Sequence, residues 1–386
     1  MKINKPDDTV VDQRITSFRF LGGGKLTQTE TRAEGANLDG LLRLVTIAAI
    51  GQILLGGVRF VDGGSLMLLA ADGFHAHLKE FSQYLFDSPL KIAFLHALRL
   101  TSATSIGIIF LALNILPVLA IVIFGKSTKE RVVLLAIFGI LPTWKIMFQN
   151  VGIGDSVVFA GSIILIIADP AWLVAGTAAL LTLWHFQQGA LICAIVSSLL
   201  ISRARAHDRI RAFSILRGLL VGALIFLIVH LFFSPNYSGR AQFMLSFMGP
   251  FLIRNIIYLP VGLACVVPGT LLAYCAIRRG MNVPNILTIT LACFIFVGAI
   301  AVAILTTDVS RVLVLLTFPM LLTLTNPRTT GMAVHERIFN SQEAIALLLL
   351  PAFVPILSWA GIDYYLWPSL LVTFHKYGLV FAGLHG

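Results

Sequence analysis

The chain has 386 residues, of which 58% are hydrophobic and only 12% are charged, and its mean hydropathy is +0.91. A soluble globular domain usually carries about 25% charged residues, so this composition excludes an ordinary soluble protein and predicts a polytopic membrane protein. The four cysteines lie in apolar segments without the spacing of a zinc site or a disulfide framework, so we expect small buried side chains there.

Apolar segments recur along the chain after residue 40. A membrane-spanning helix needs about 20 apolar residues, somewhat fewer when its ends are polar. On this criterion the sequence predicts an all-α transmembrane helical bundle of about eleven spans, at 41–58, 103–124, 132–149, 156–168, 171–184, 188–202, 213–233, 256–277, 284–305, 312–325 and 343–360. The segment 365–383 is a candidate twelfth span.

Two of these segments, 156–168 and 171–184, are short for a span, and the turn signal Asp169-Pro170 lies between them. They are expected to form either a re-entrant hairpin or two tilted helices packed inside the protein, because broken backbone is tolerated at membrane depth only there. Either arrangement leaves every later loop on the same predicted side of the membrane.

The distribution of Lys and Arg predicts the orientation. The net charge of +10 could indicate nucleic acid or a membrane surface as partner. The densest basic clusters, 126–131 and 203–211, both fall on the cytoplasmic side when the amino terminus is cytoplasmic, as the positive-inside rule requires. We therefore expect no nucleic-acid partner, a partly disordered cytoplasmic tail over 1–40 without a cleavable signal peptide, and a single transmembrane domain over 41–386.

The first outer segment, 56–102, is predicted to carry amphipathic helices that lie in the membrane interface. Within 71–86, four apolar residues recur at helical spacing while polar residues face away, and 89–100 repeats this pattern. The alternative is a packed cap with no lipid role.

The predicted topology brings polar residues from several hairpins to the outer side. The candidate site residues among them are Asp62, Asp72, His75, Asp155, His185, Gln188, Arg240, Asp308 and Arg311. Asp308 and Arg311 are three residues apart between long apolar segments, where charges are costly. Each candidate also has a structural interpretation: Asp308 and Arg311 as a capping acid and an ion pair, Asp155 as an N-cap, His185 as a hydrogen-bonded core residue and Gln188 as a helix–helix contact.

These residue types suit the transfer of a sugar from a lipid phosphate. A partly desolvated carboxylate can accept a proton from a hydroxyl, and Arg offers donors matched to phosphate oxygens. We expect Asp155 and Asp308 to be catalytic, as contacts to the acceptor or a metal, and Arg311 and His185 to bind phosphate. The full predicted substrate-binding set is Asp62, His75, His185, Gln188, Arg240 and Arg311.

A cytoplasmic amino terminus, a long first outer loop in which Asp72-Gly-Phe-His75 opens an amphipathic segment, and about eleven spans resemble the GT-C superfamily of integral membrane glycosyltransferases. The resemblance implies a bacterial inner-membrane enzyme of cell-envelope or exopolysaccharide assembly. Its donor would be a polyprenyl-phosphate-linked sugar at the extracytoplasmic face, and its acceptor a glycan or lipid. That superfamily takes its catalytic Asp from the first outer loop, which would be Asp72 or Asp62. The chain lacks the acidic pair of better-defined members and a soluble carboxyl-terminal domain, so the base and a divalent metal both stay open.

Two other functions use similar features. O-antigen-type polymerases and ligases also handle polyprenyl-linked sugars, but they usually have a large late outer loop with several arginines, whereas 234–255 holds only Arg240 and Arg254. A transporter or flippase of lipid-linked glycans would place ionisable residues near the bilayer midplane in discontinuous helices. The short segments around Asp155 and Asp169 could be such helices. A cavity open on one side would favour the enzyme, and a pathway open on both sides the transporter.

Overall fold

The computed structural model describes residues 28–60, 63–77, 85–203, 205–233, 240–279, 286–306, 308–339, 342–354, 357–358 and 363–364. The chain divides into two units, Met1–Gly40 and Leu41–Gly386. The predicted tail lies outside the described residues up to residue 27, and 28–40 form the first part of a helix. The predicted all-helical fold is confirmed for the described residues, apart from the two-residue strands β1 (Leu357–Ser358) and β2 (Asp363–Tyr364), which pair antiparallel.

The described helices, in chain order, are α1 (Gln28–Gly56), α2 (Gly63–Asp72), α3 (Pro89–Ala97), α4 (Ala103–Leu113), α5 (Leu116–Phe124), α6 (Thr128–Gly139), α7 (Thr143–Gln149), α8 (Asp155–Ile167), α9 (Ala171–Trp184), α10 (Phe186–Ser202), α11 (Ala206–Phe233), α12 (Arg240–Arg279), α13 (Ile286–Ile304), α14 (Val309–Thr325), α15 (Pro327–Thr330), α16 (Met332–Phe339) and α17 (Gln342–Phe353). A short 3₁₀ helix, Gly73–His75, follows α2.

Several of these helices are long and apolar enough to cross a membrane. The six candidates among the described residues are Leu38–Gly56, Ala103–Phe124, Ala206–Phe233, Asn255–Ile277, Ile286–Ile304 and Val309–Thr330. The pair α6 and α7, bent by 64°, meets the same criteria together and forms either a seventh, broken span or a re-entrant loop. The helices α8, α9, α10 and the end of α17 are apolar but only 10–17 residues long. The membrane-protein class is therefore confirmed, and each of the eleven predicted segments overlaps one of these helices. The segment 365–383 lies outside the described residues.

A proline explains the break between α6 and α7. Pro142 precedes α7 and has no N–H to continue the ladder, and the residue before a proline is disfavoured in helical conformation. The break leaves backbone carbonyls of α6 without helical partners. The buried side chain of Gln52 satisfies one of them, because its Nε2 donates to the carbonyl of Gly139 at 2.7 Å. The same Nε2 also donates to the carbonyl of Leu141, in the break itself, at 3.2 Å. One glutamine thus ties α1 to the bend.

The helix α14 lies at the centre of the bundle. All its residues are buried, and it packs against α6, α8, α10, α12 and α13. Near its middle, the rings of Phe318, Phe138 and Phe159 meet edge to face with centroids 5.3 to 5.7 Å apart. This arrangement is the favourable one for aromatic rings, and it joins α14 to α6 and α8.

The helices α8 and α14 run in the same direction and are tied together at both ends. Where both begin, Arg311 of α14 contacts Asp155, the first residue of α8. Where both end, Arg328 in α15 donates to the carbonyl of Ile167, the last residue of α8. At 1.5 Å per residue the 13 residues of α8 are about 20 Å long, so these two ties are separated by most of a bilayer core.

The helix α10 is parallel to both. Its C-cap residue Arg203 donates to the carbonyl of Thr323, close to the end of α14, and α10 also packs against α8. We call the end at which α8, α10 and α14 begin the Asp155 end, and the opposite end the Asp169 end.

The interface of α9 with α11 depends on two glycines four residues apart. A Cβ on Gly218 would overlap the carbonyl of Ala175, and one on Gly222 would lie 2.8 Å from the Cβ of Thr182. Small residues at this spacing allow two helices to approach closely in an apolar environment.

Replacing Gly218 by Ala is therefore expected to destabilise the protein by about 1–3 kcal/mol, because α11 must move away from α9 to make room for the methyl group. Thermal unfolding in detergent measures the change. The matched control is Gly176→Ala on α9, where a Cβ would meet nothing within 4 Å. Equal stability of the two variants would contradict the close approach.

Three predicted segments differ from the structure. The helix predicted over 71–86 ends instead at Asp72, because Gly73 adopts a left-handed φ of 59°, a conformation that terminates helices; 78–84 lie outside the described residues. The second predicted helix is α3, which buries Ile92 and Leu95 and packs against α9, as in the packed-cap alternative. The predicted loop 234–255 is already helical from Arg240, and 234–239 lie outside the described residues.

Candidate functional site

Three of the predicted site residues meet at the Asp155 end. The guanidinium of Arg311 donates to both oxygens of Asp155, with Nε–Oδ2 at 2.7 Å and Nη2–Oδ1 at 2.6 Å. Its Nη1 donates to Oδ2 of Asp308 at 3.1 Å. The bidentate pair is the strong form of this interaction, because two parallel charge-assisted hydrogen bonds fix both the distance and the plane. We call these three side chains the Asp155–Arg311–Asp308 cluster.

The three members of the cluster differ in exposure. The side chains of Asp155 and Arg311 are 1% and 3% exposed, whereas that of Asp308 is 13% exposed. Two carboxylates and one guanidinium carry a net charge of −1 when all are ionised. Asp308 is therefore the member that a molecule outside the protein can reach, and Arg311 holds it in place.

Helix ends help to stabilise the two carboxylates. Asp155 lies in the first turn of α8, and Asp308 is the N-cap residue of α14. Helix N-termini carry partial positive charge, which favours acidic side chains there. The side chain of Asp308 makes no capping hydrogen bond to its own helix, and its Oδ2 accepts a hydrogen bond from Arg311. The structural interpretation of Asp155 as an N-cap is wrong, because Gly154 occupies that position.

The turn before α8 explains how Asp155 is placed. Gly152 and Gly154 both adopt left-handed φ angles, 106° and 85°, which glycine tolerates without steric cost. Two buried side chains hold the turn: Nζ of Lys91 donates to the carbonyl of Ile153 at 2.9 Å, and Nε1 of Trp184 donates to that of Gly154 at 3.1 Å. Contacts from α3 and α9 thus fix the residue that precedes the cluster.

The first outer segment is also attached to this turn. The backbone N–H of Arg59 donates to the carbonyl of Phe148 at 2.9 Å, and that of Val151 donates to Arg59 at 3.0 Å. The side chain of Gln149 donates to the carbonyl of Gly56 at 2.6 Å. The chain leaving α1 therefore pairs with the chain leaving α7, beside the turn that carries Asp155.

His185 and Gln188 lie at the same end and are buried, at 4% and 5% exposure. His185 is the residue between α9 and α10, directly after Trp184, and Gln188 is in the first turn of α10. The helix α10, which begins directly after His185 and contains Gln188, packs against both α8 and α14, so both residues lie at the end of the bundle that holds the cluster.

Of the remaining predicted site residues, the structure describes the side chains of Asp72 and His75. Asp72 and His75 are exposed, and Asp72 makes no capping hydrogen bond to the 3₁₀ helix that follows it. Asp62 lies outside the described residues, and Arg240 is the first residue of α12, with a side chain that the structure does not describe. The structure therefore unites Asp155, Asp308 and Arg311 and leaves Asp72 apart from them.

Some residues at this end were missed by the sequence analysis. Lys91 is only 2% exposed, although its helix was expected to be interfacial, and Asp87, one helical turn earlier in the chain, is 3% exposed. The sequence did contain a signal for these residues, because Asp87 and Lys91 are an acid and a base four residues apart, on either side of Pro89. Lys145 is also buried, and its Nζ donates to the carbonyls of Ala352 and Val354 at 2.7 and 2.8 Å.

The Asp169 end carries a second charged network. Arg328 donates to Oε1 of Glu130 at 2.6 Å and to the carbonyls of Phe124 and Ile167, so it caps the carboxyl ends of α5 and α8. Arg211 caps α8 as well, through the carbonyl of Ala168 at 2.7 Å.

Asp169, in the turn after α8, forms ion pairs with three basic side chains. They are Lys126 at 3.0 Å, Arg328 at 3.5 Å and Arg211 at 3.6 Å. Burial alone would raise the pKa of Asp169, but the hydrogen bond and charge of Lys126, together with the charges of Arg328 and Arg211, outweigh it and lower that pKa. Asp169, which the sequence analysis identified only as part of a turn, therefore also links three separate segments of the chain.

The described residues do not offer a metal site. They contain no group of three or more His, Cys, Asp or Glu side chains placed to hold an ion. Asp155 and Asp308 already accept hydrogen bonds from Arg311, so a metal would have to displace a guanidinium.

These features define a helical, multi-pass membrane protein whose central parallel helices begin at a buried carboxylate–guanidinium cluster. No protein-family model, curated protein or solved structure matches this chain. Any functional conclusion therefore depends on the cluster and its surroundings.

Proposed function

We propose that this protein is a membrane glycosyltransferase. It takes a sugar from a polyprenyl-phosphate-linked donor and transfers it to a glycan or lipid acceptor, in cell-envelope or exopolysaccharide assembly. The observation that carries the proposal is the Asp155–Arg311–Asp308 cluster, in which a partly exposed carboxylate is held by a buried arginine at the end of the bundle.

The proposal places this cluster at the extracytoplasmic face of a bacterial plasma membrane, with a cytoplasmic amino terminus and all eleven apolar segments in the membrane. The positive-inside rule supports this orientation, because Lys126, Arg203, Arg211 and Arg328 all belong to the opposite, Asp169 end. The helices α8, α9 and α10 then cross the bilayer as short helices packed inside protein.

The exposure of the cluster assigns the roles. Asp308 accepts a hydrogen bond from the acceptor hydroxyl and takes its proton as the oxygen attacks the anomeric carbon. The bond between that carbon and the phosphate oxygen breaks, and the phosphate leaves with its lipid. At least three of the five N–H donors of Arg311 serve the two carboxylates, so Arg311 positions Asp308 and Asp155 positions Arg311. This assignment replaces the phosphate-binding role that the sequence suggested for Arg311.

Replacing Asp308 by Asn tests this assignment. We expect transfer to fall by about 100-fold or more, because the amide cannot accept the proton, while the fold survives since the position is partly exposed. Transfer of radiolabelled sugar into lipid-linked glycan by membranes, with protein levels and unfolding temperature measured in parallel, gives the result. The exposed Asp39→Asn is the control for loss of a carboxylate.

Full transfer by folded Asp308→Asn protein would overturn the role of Asp308. Asp72→Asn then becomes informative, because the resemblance to GT-C enzymes implies Asp72 as the base. Loss of transfer in Asp72→Asn but not in Asp308→Asn would indicate that the catalytic base lies in the first outer segment.

Transport of a lipid-linked glycan is the second candidate, favoured by one observation. The helices α8 and α14 are tied at both ends, and the bend between α6 and α7 and the short helices beside them are discontinuities of the kind that transporters use. A transporter would have to break one tie at a time, whereas an enzyme keeps both. An O-antigen-type polymerase ranks lower, because its expected late loop is mostly helix here.

A further inference from the structure

Two buried polar groups beside the cluster lack hydrogen-bond partners in the described structure. The hydroxyl of Ser156 and the amide oxygen Oε1 of Gln188 have none, although these residues are only 1% and 5% exposed. Such groups are rare in native proteins, because burying them without a partner is costly. Each therefore needs an explanation.

Both groups lie at the Asp155 end. Ser156 is the second residue of α8, next to Asp155, and Gln188 is the third residue of α10. Since α8 and α10 are parallel, in contact, and both packed against α14, their first turns lie at the same end of the bundle as Arg311. The indole of Trp184, which donates to Gly154, connects the two turns.

Neighbouring buried side chains behave differently. Gln149, at 7% exposure, donates to the carbonyl of Gly56, and Ser162, at 1% exposure, donates to the carbonyl of Val158 at 2.8 Å. Ser162 is thus a satisfied counterpart of Ser156, and Gln149 is a buried glutamine whose amide nitrogen has a partner.

The chemistry of the two groups limits what could satisfy them. The amide oxygen of Gln188 requires a donor, and the hydroxyl of Ser156 can donate or accept. A phosphate offers mainly acceptor oxygens, and the net negative charge of the cluster disfavours it further. A neutral molecule with several hydroxyl groups supplies both donors and acceptors.

We infer that Ser156 and Gln188 bind hydroxyl groups of the sugar that this protein transfers. The inference rests on the proposed function and adds a recognition site for the sugar to it. In this structure the site is closed, and the break between α9 and α10 at His185 provides the point at which the first turn of α10 can move to admit a sugar.

The first test needs no ligand. Ser156→Ala and Gln188→Leu are expected to leave the unfolding temperature unchanged or higher, because each removes an unsatisfied polar atom. The matched variants Ser162→Ala and Gln149→Leu remove a hydrogen bond and are expected to lower it. If Ser156→Ala and Gln188→Leu destabilise the protein as much as the matched variants do, the two groups are satisfied by water or protein and the inference is wrong.

The second test uses water-soluble farnesyl phosphate and its glucosyl, galactosyl and mannosyl derivatives as probes, with binding measured by thermal stabilisation of the purified protein. The unaltered protein is expected to bind at least one sugar-bearing probe more tightly than farnesyl phosphate. Ser156→Ala and Gln188→Leu should each weaken that binding by up to about tenfold, the value of one neutral hydrogen bond, and leave farnesyl phosphate binding unchanged.

Three outcomes would overturn the inference, and they are distinguishable. Equal binding of a sugar-bearing probe by the unaltered protein and both variants removes the sugar site and leaves the glycosyltransferase proposal standing. Equal affinity of the unaltered protein for farnesyl phosphate and all its derivatives means that only the lipid phosphate is recognised. Binding of none of the four probes contradicts the proposed function together with the inference.

Discussion

Replacing Arg311 by Leu is expected to destabilise the protein by about 3–5 kcal/mol, among the largest effects available to a single substitution in this chain. The variant leaves Asp155 buried at 1% side-chain exposure, without the guanidinium that bonds both of its oxygens. An uncompensated buried carboxylate is costly, because little water can reach it. Thermal unfolding in detergent and the yield of monodisperse protein measure the loss.

A double-mutant cycle separates the ion pair from the packing of the two side chains. Asp155→Leu alone should be similarly destabilising. Asp155→Leu combined with Arg311→Leu should recover much of the lost stability, because neither an unpaired carboxylate nor an unpaired guanidinium then remains buried. Arg205→Leu, at an exposed position, is the control for removing an arginine. Additive effects of the two Leu substitutions would show that the bidentate pair is not formed in the folded protein.

The sequence allowed prediction of the apolar helices and of part of the cluster. Asp308 and Arg311 are three residues apart, a spacing at which helical side chains meet, so their contact could be anticipated. The contact of Arg311 with Asp155 spans 156 residues of chain, and only the topology suggested it. Counting Lys and Arg placed both residues on one side, but it could not show that α8 and α14 are neighbours, which depends on packing.

Helix boundaries in the first outer segment could not be derived in the same way. An amphipathic pattern over 71–86 predicted one helix. The left-handed Gly73 instead ends α2 at Asp72, and a short 3₁₀ helix follows. The same pattern placed Lys91 in the interface, whereas its amine is buried against the carbonyl of Ile153. A periodic pattern identifies a face of a helix, and it does not show whether lipid or protein covers that face.

The role of Arg328 was hidden for a related reason. In the sequence it is one more basic residue on the side predicted to be cytoplasmic. In the structure it satisfies carbonyls at the ends of two helices and pairs with Glu130. Carbonyl groups at helix ends leave no mark in a sequence, so the partner of a capping arginine is visible only when the helices are placed.

Replacing Arg328 by Met is expected to destabilise the protein by about 2–5 kcal/mol, the cost of leaving a buried hydrogen-bonded charge without its partner. The substitution leaves Glu130, at 7% side-chain exposure, without the guanidinium, and it uncaps the carboxyl ends of α5 and α8. Since α8 carries Asp155 at its other end, transfer activity should fall as well, by more than the loss of folded protein explains.

The control is Lys126→Met, which removes a cation from the same network at an exposed position. Its ion pair with Asp169 joins side chains that are 61% and 54% exposed, and exposed pairs contribute only about 0–1 kcal/mol. Adding Glu130→Gln to Arg328→Met should recover part of the stability, because the unpartnered charge is then gone. Equal unfolding temperatures for Arg328→Met and Lys126→Met would show that the tie between α8 and α15 does not stabilise the bundle. Normal activity per folded molecule in Arg328→Met would show that the position of Asp155 does not depend on that tie.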